Sequence, residues 1–131
     1  MNYNLNISYK LKKCITKREI IENGIIDGVR YRFNFKNGLV GSVVKLTFSK
    51  NVSELIKYSY GSERDLWECA VMNKNNELVT CGITGDEYVL GDMSEEDVEL
   101  FLECVKSGNI DTDFKVIKEA AKKYFKKKGE Q

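Results

Sequence analysis

Tyr3, Leu5, Ile7, Tyr9 and Leu11 occupy every second position, with Asn4, Asn6, Ser8 and Lys10 between them. Successive side chains of an extended chain point to opposite faces, so this period of two predicts a strand over residues 3–11. Thr16 followed by Glu19 has the spacing of a capping box, and Gly24 can close a helix in the left-handed conformation, which together predict a short helix over residues 17–23. Asp27-Gly28 then turns the chain into Val29, Tyr31, Phe33 and Phe35, alternating with Arg30, Arg32 and Asn34. Asn37-Gly38 is the strongest hairpin signal in the chain and is read as a two-residue turn with positive φ at both positions. The return strand runs from Leu39 to about Phe48.

Residues 49–59 mix the helical spacing of Val52, Leu55 and Ile56 with turn-forming Asn51 and Ser53, and stay unassigned. A polar loop at 60–65 precedes two strands, Leu66 to Met72 and Glu77 to Cys81, joined by Asn73-Lys74-Asn75-Asn76. Gly82, Gly85 and Gly91 punctuate a loop carrying Tyr88, Val89 and Leu90. Ser94 with Asp97 opens a helix through Val98, Phe101, Leu102 and Val105 that Gly108 should end. A final helix begins near Thr112 and carries Phe114, Ile117, Ala121, Tyr124 and Phe125 on one broad face. Strands followed by helices predict an α+β fold: an antiparallel sheet of four or five strands, with two C-terminal helices packed on one face and a short helix near the N-terminus.

Composition narrows the chemistry. At 131 residues the chain is expected to form a single domain over 1–131, and 42% hydrophobic residues can supply its core. There is no histidine, which removes histidine acid–base chemistry, the Ser-His-Asp and Cys-His constellations and all histidine metal sites. The first eleven residues lack the continuous apolar run of a signal peptide or membrane span, so a cytoplasmic protein is expected. Cys14, Cys69, Cys81 and Cys104 are scattered singly, a spacing that favours reduced core thiols over a zinc or disulfide framework.

The net charge of +1 hides a segregation. Residues 1–50 carry ten bases against three acids, 75–105 nine acids and no base, and 114–131 seven lysines against two acids. Acids at helix starts and lysines at helix ends complement the helix dipole; the competing reading is a dipolar surface that steers a charged partner. On the last helix, Lys122, Lys123, Lys126 and Lys127 form a candidate binding strip. Tyr60 and Arg64 in the polar loop, with Tyr88, make a second candidate surface.

No enzymatic constellation emerges. Glu95, Glu96 and Asp97 are consecutive at a helix start and point in different directions, which suits a first-turn role better than a cation site. The glycines match no phosphate-binding loop. Tyr31, Phe33 and Phe35 interleave with Arg30 and Arg32 as in a nucleic-acid-binding sheet, yet one strand puts rings and guanidinium groups on opposite faces, which favours core packing of the rings. Trp67 is read as core, with a partner surface as the alternative. No cofactor or metal is expected.

One resemblance adds to this. Gly41-Ser42-Val43-Val44-Lys45, Ser59-Tyr60-Gly61, Leu66-Trp67-Glu68-Cys69-Ala70-Val71, Ile83-Thr84-Gly85-Asp86 and Gly91-Asp92-Met93-Ser94-Glu95-Glu96-Asp97-Val98 follow one another over about residues 39–106. This succession resembles small accessory proteins encoded by phages and prophages of Gram-positive bacteria. The chain departs from them by the extra stretch from Leu46 to Tyr58, by Met93 where leucine is expected, and by its lysine-rich final helix. The resemblance implies a non-enzymatic protein that binds a host protein or ribonucleoprotein complex in the host cytoplasm, including inhibition of a defence complex of the anti-CRISPR kind. The alternatives are a nucleic-acid-binding module using Arg30, Arg32 and the terminal lysines, and a small-molecule-binding protein or minor enzyme; membrane association is not expected.

Overall fold

The structure, a computed structural model, describes residues 3–22, 24–48, 66–85 and 87–129, of which 48 and 125–129 are described by backbone alone. Five antiparallel strands form one sheet in sequence order: β1 (Ile15–Glu22), β2 (Ile26–Asn34), β3 (Val40–Phe48), β4 (Trp67–Met72) and β5 (Leu90–Met93). Among the described residues the helices are a single turn, α1 (Tyr9–Lys12), and two C-terminal helices, α2 (Glu95–Ser107) and α3 (Phe114–Gly129). The expected α+β architecture is therefore present, but several elements are built from other residues than the sequence pattern suggested.

β2, β3 and β4 follow their alternation. Rows across the sheet run Arg18–Tyr31–Val43–Cys69 and Phe33–Gly41–Val71 on the inner face. Tyr31, Phe33, Val43, Cys69 and Val71 are buried there with Trp67, and Phe35 joins them from the turn after β2. Tyr31 and Trp67 meet edge to face with centroids 6.0 Å apart. Helix α2 covers this face with Val98, Phe101, Leu102 and Val105, the i, i+3, i+4, i+7 stripe of an amphipathic helix. It lies close because β3 has glycine under it: a Cβ on Gly41 would stand 2.7 Å from Leu102 Cδ2. Phe114 at the start of α3 packs edge to face on Phe101, with centroids 6.2 Å apart.

The capping box at Ser94 forms as expected, with Asp97 N donating to Ser94 Oγ and Ser94 N to an Asp97 carboxylate oxygen. Gly108 ends α2 in the left-handed conformation. The capping box at Thr16 does not form, and of the helix expected over 17–23, residues 17–22 belong to strand β1. Thr16 Oγ1 donates to Asn34 Oδ1 at 2.6 Å across the hairpin, so pairing with β2 outcompetes the local helix signal.

Residues 3–8, expected as a strand, are extended but belong to no sheet. Leu5 is buried, as the alternation implies, while the backbone is held by side chains of α2: Asn6 N donates to Glu95 Oε2 and Ser8 N to Glu99 Oε1. Ser8 then caps α1, which turns Tyr9 outward and sends Leu11 into the core. The strand expected at 77–81 reduces to one bridge, Met72 to Leu78, followed by a 3-10 turn at Gly82–Thr84. The fifth strand comes instead from Leu90–Met93. The Asn37-Gly38 turn also differs in kind: Gly38 has φ +85°, Asn37 does not, and Gly38 N donates to Phe35 O. The unassigned stretch 49–59 lies outside the described residues.

Candidate binding surface

Helices α2 and α3 occupy one face of the sheet, and among the described residues no helix lies on the other. The strand register builds this outer face. One row reads Lys17–Arg32–Ser42–Ala70, the next Glu19–Arg30–Val44–Glu68, and the next Ile21–Gly28–Leu46. The turn after β4 adds Leu78, and the approach to β5 adds Val89. All of these except Ile21 and Gly28 line an open groove of about 530 Å³.

Its chemistry is mixed in a defined way. Val44, Leu46, Ala70, Met72, Leu78 and Val89 supply an apolar floor and one wall, and Leu46 and Leu78 are 41% and 47% exposed. Cations stand on the β1–β2 side. Lys17 is paired with Glu19 at 3.3 Å, Arg32 Nε donates to Asn34 Oδ1 at 3.1 Å, and Arg30 is exposed. The bond to Asn34 holds the Arg32 side chain along the strand and uses one of its five guanidinium donors. The aromatic residues of β2 and β4 are absent from this face because alternation sends all of them inward.

A second groove, of about 660 Å³, lies between α2 and α3. Here the segregated charges of the sequence meet each other. Lys118 bridges to Asp97 at 3.2 Å, and Lys122 stands on the same groove as Glu96, Glu99 and Glu103 while pairing with Glu119 at 3.8 Å. One ion pair, Lys118 with Asp97, thus joins the lysine helix to the acidic one. Lys118 is half-buried in this pair, and Tyr124, expected to face the core, is 58% exposed.

Of the sequence candidates, Lys122 and Lys123 are exposed on α3. The side chains of Lys126 and Lys127, and both Tyr60 and Arg64, lie outside the described residues. Tyr88 is 54% exposed, next to Val89 of the outer groove. Trp67 is core, 1% exposed. The cysteines are free; Cys69 is fully buried, and burial, then the carboxylates of Asp97 and Glu68, pushes its thiol pKa up. Cys104 is shifted in the same direction by burial and then by Glu103. Among the described residues no group of three or more Cys, Asp or Glu side chains is placed to hold a metal ion, and no helix is long and apolar enough to cross a membrane.

Two features escaped the sequence reading. The outer face as a whole was visible only one strand at a time, because the register that aligns Arg30 with Val44 and Arg32 with Ser42 is not written in either strand alone. Lys45 is the other: it sits on the inner face, 3% exposed, with Nζ 4.4 Å from the Trp67 ring centroid. The signal was available, since Gly41, Val43 and Lys45 share one alternation, and a cation over an indole face is attracted by the ring quadrupole.

No family model, curated protein or solved structure matches the chain.

Proposed function

We propose that the chain is a non-enzymatic binding protein of the phage accessory type, which acts by occupying a surface of a host protein with the outer face of its sheet. The observation that carries this reading is that face: an apolar floor from Val44 to Met72 flanked by Arg30 and Arg32. Arginine and methionine around an apolar centre are the composition of protein–protein interfaces, where the apolar part supplies affinity and the guanidinium groups select a partner with carboxylates at matching positions. The occupant proposed is thus a protein with an apolar patch bordered by acidic side chains. The resemblance over residues 39–106 supports a host defence complex as the source of that protein.

A nucleic-acid partner is less well served by the same face. Single strands are gripped by bases stacking on aromatic side chains, and Tyr31, Phe33, Phe35 and Trp67 are all turned into the core. The test is capture from a bacterial lysate by the wild-type chain and by two variants, with quantitative mass spectrometry of what is retained. Arg30→Glu with Arg32→Glu reverses the face; Lys122→Gln with Lys123→Gln neutralises α3. The expected result is a protein whose binding weakens at least about tenfold in the first variant and is kept in the second. Retention unchanged by the arginine reversal, or retention of nucleic acid alone, would overturn the reading.

A further inference from the structure

We infer that β1 is a dimerisation edge, at which two copies of this chain join their sheets antiparallel with Ile20 on the two-fold axis. The sheet has two edges, and they differ. β5 is four residues long, contains Gly91, has Asp92 at φ +54°, and meets β4 with a register irregularity, all features that blunt an edge against further pairing. β1 is eight residues long and pairs regularly with β2 from Lys17 to Glu22. Among the described residues its other side has no strand partner. A row of backbone donors and acceptors at such an edge is a template for another strand.

The side chains of β1 say which strand. Arg18, Ile20 and Glu22 share the inner face, opposite Tyr31, Val29 and Asp27, while Lys17, Glu19 and Ile21 share the outer face. Residues directly opposed in an antiparallel pair lie on the same face, so a two-fold axis must pass through a residue and not between two. Centring on Lys17, Arg18 or Glu19 sets a charge against its own copy, and like charges directly opposed are destabilising. Centring on Ile21 shortens the ladder and leaves Arg18 outside it. Centring on Ile20 removes every like-charge opposition: Ile20, 45% exposed in the single chain, meets Ile20 of the second copy, and Arg18 of each copy stands opposite Glu22 of the other. In the single chain the Arg18 guanidinium lies over the Tyr31 ring, with Nε donating to Tyr31 Oη at 3.0 Å, and its remaining donors suit a carboxylate.

Arg18 on a lone edge would be a charge that repels intruding strands; in this register it becomes complementary to Glu22 of the second copy. The inference is independent of the proposed function. It does bear on it, because a two-fold axis perpendicular to the sheet keeps both outer faces on one side. The Arg30 and Arg32 ranks of the two copies would then stand about three strand spacings, roughly 14 Å, apart on a continuous surface.

The test is sedimentation velocity over a concentration series, with thermal melts as the folding control. The wild-type chain is expected to be a dimer at concentrations on the order of 100 µM, and Arg18→Glu or Glu22→Arg alone should raise the dimer dissociation constant about tenfold or more. The double variant Arg18→Glu with Glu22→Arg should restore the dimer, a rescue that mere loss of folding or of the Tyr31 contact would not give. Ile20→Lys should be monomeric. A wild-type monomer at that concentration, or single charge reversals that leave the dimer intact, would overturn the inference.

Discussion

Asn37 shows how much one side chain can fix. Its Nδ2 donates to Val105 O at 2.9 Å, which also accepts from Gly108 N, and to Lys106 O at 3.1 Å in the last turn of α2, while its Oδ1 accepts from Leu39 N at 3.0 Å. The residue thus ties the β2–β3 turn to the helix lying across the sheet. Asn37→Ala should cost about 1–2 kcal/mol in chemical denaturation, more than an exposed turn residue would. Gly38→Val should cost about 1 kcal/mol or more, since φ +85° is strained for a β-branched residue. The sequence located this turn through Asn-Gly but misread its type, because the second role of Asn37 depends on a helix end nearly seventy residues away.

Cys69 makes a pH prediction whose sign can be worked out. Its thiol stays neutral in the fold, with a pKa raised above the ordinary 9.0 by burial and by Asp97 and Glu68, whereas in the unfolded chain it ionises near that value. Its contribution to stability is fully present below pH 9 and is lost as the pH rises further, at about 1 kcal/mol per pH unit. Cys69→Ala should therefore destabilise the protein at pH 7 by about 1–2 kcal/mol, and the gap to wild type should shrink above pH 9. Parallel denaturation curves from pH 7 to 10.5 would check this; a gap that stays constant or widens would count against the buried neutral thiol.

Among the elements, α2 organises the most. Its first turn carries three acids, which suit the helix dipole, but each of the acidic side chains that matter is aimed at something definite. Asp97 accepts from Ser94 N and from Lys118 Nζ, joining the cap to α3, and Glu95 and Glu99 hold the backbone of the N-terminal segment. Asp97→Ala should cost about 2 kcal/mol, of which a double-mutant cycle with Lys118→Ala should assign about 0.5–1 kcal/mol to the pair itself. Glu99→Ala should release residues 3–8, read as faster amide exchange at Ser8 with that of β2 unchanged. A Glu99 variant that leaves Ser8 exchange untouched would contradict this anchoring.

The elements also show where sequence reading works. Strands β2, β3 and β4 and helix α2 were legible because each has one face mostly buried, so the period of burial is written in the residues. β1 was read as a helix because Thr16 and Glu19 carry a local signal while Lys17, Arg18 and Ile20 at a sheet edge carry no clear alternation. The N-terminal segment kept its alternation at Leu5 but takes its hydrogen bonds from side chains, which no periodicity announces. β5 is too short, and too interrupted by Gly91 and Asp92, to stand out.

At the scale of the whole molecule, the two charged runs of the sequence divide their labour. The acids of α2 hold its cap, the N-terminal segment and, through Asp97 and Lys118, helix α3, while Lys122 pairs within α3 and Lys123 is exposed; of the bases in the first fifty residues, Lys45 lies on the inner face and Lys17, Arg30 and Arg32 on the outer. On the proposed function, the partner surface is the outer face of the sheet. The most direct test of that account is photo-crosslinking from defined positions in cells that contain the partner. A photoreactive phenylalanine analogue would be placed at Leu46 or Leu78 on the outer face, and at Val116, 58% exposed on α3, as the comparison. The account predicts one discrete protein adduct from Leu46 and Leu78 and none from Val116; adducts from Val116 alone, or equally from all three, would contradict it.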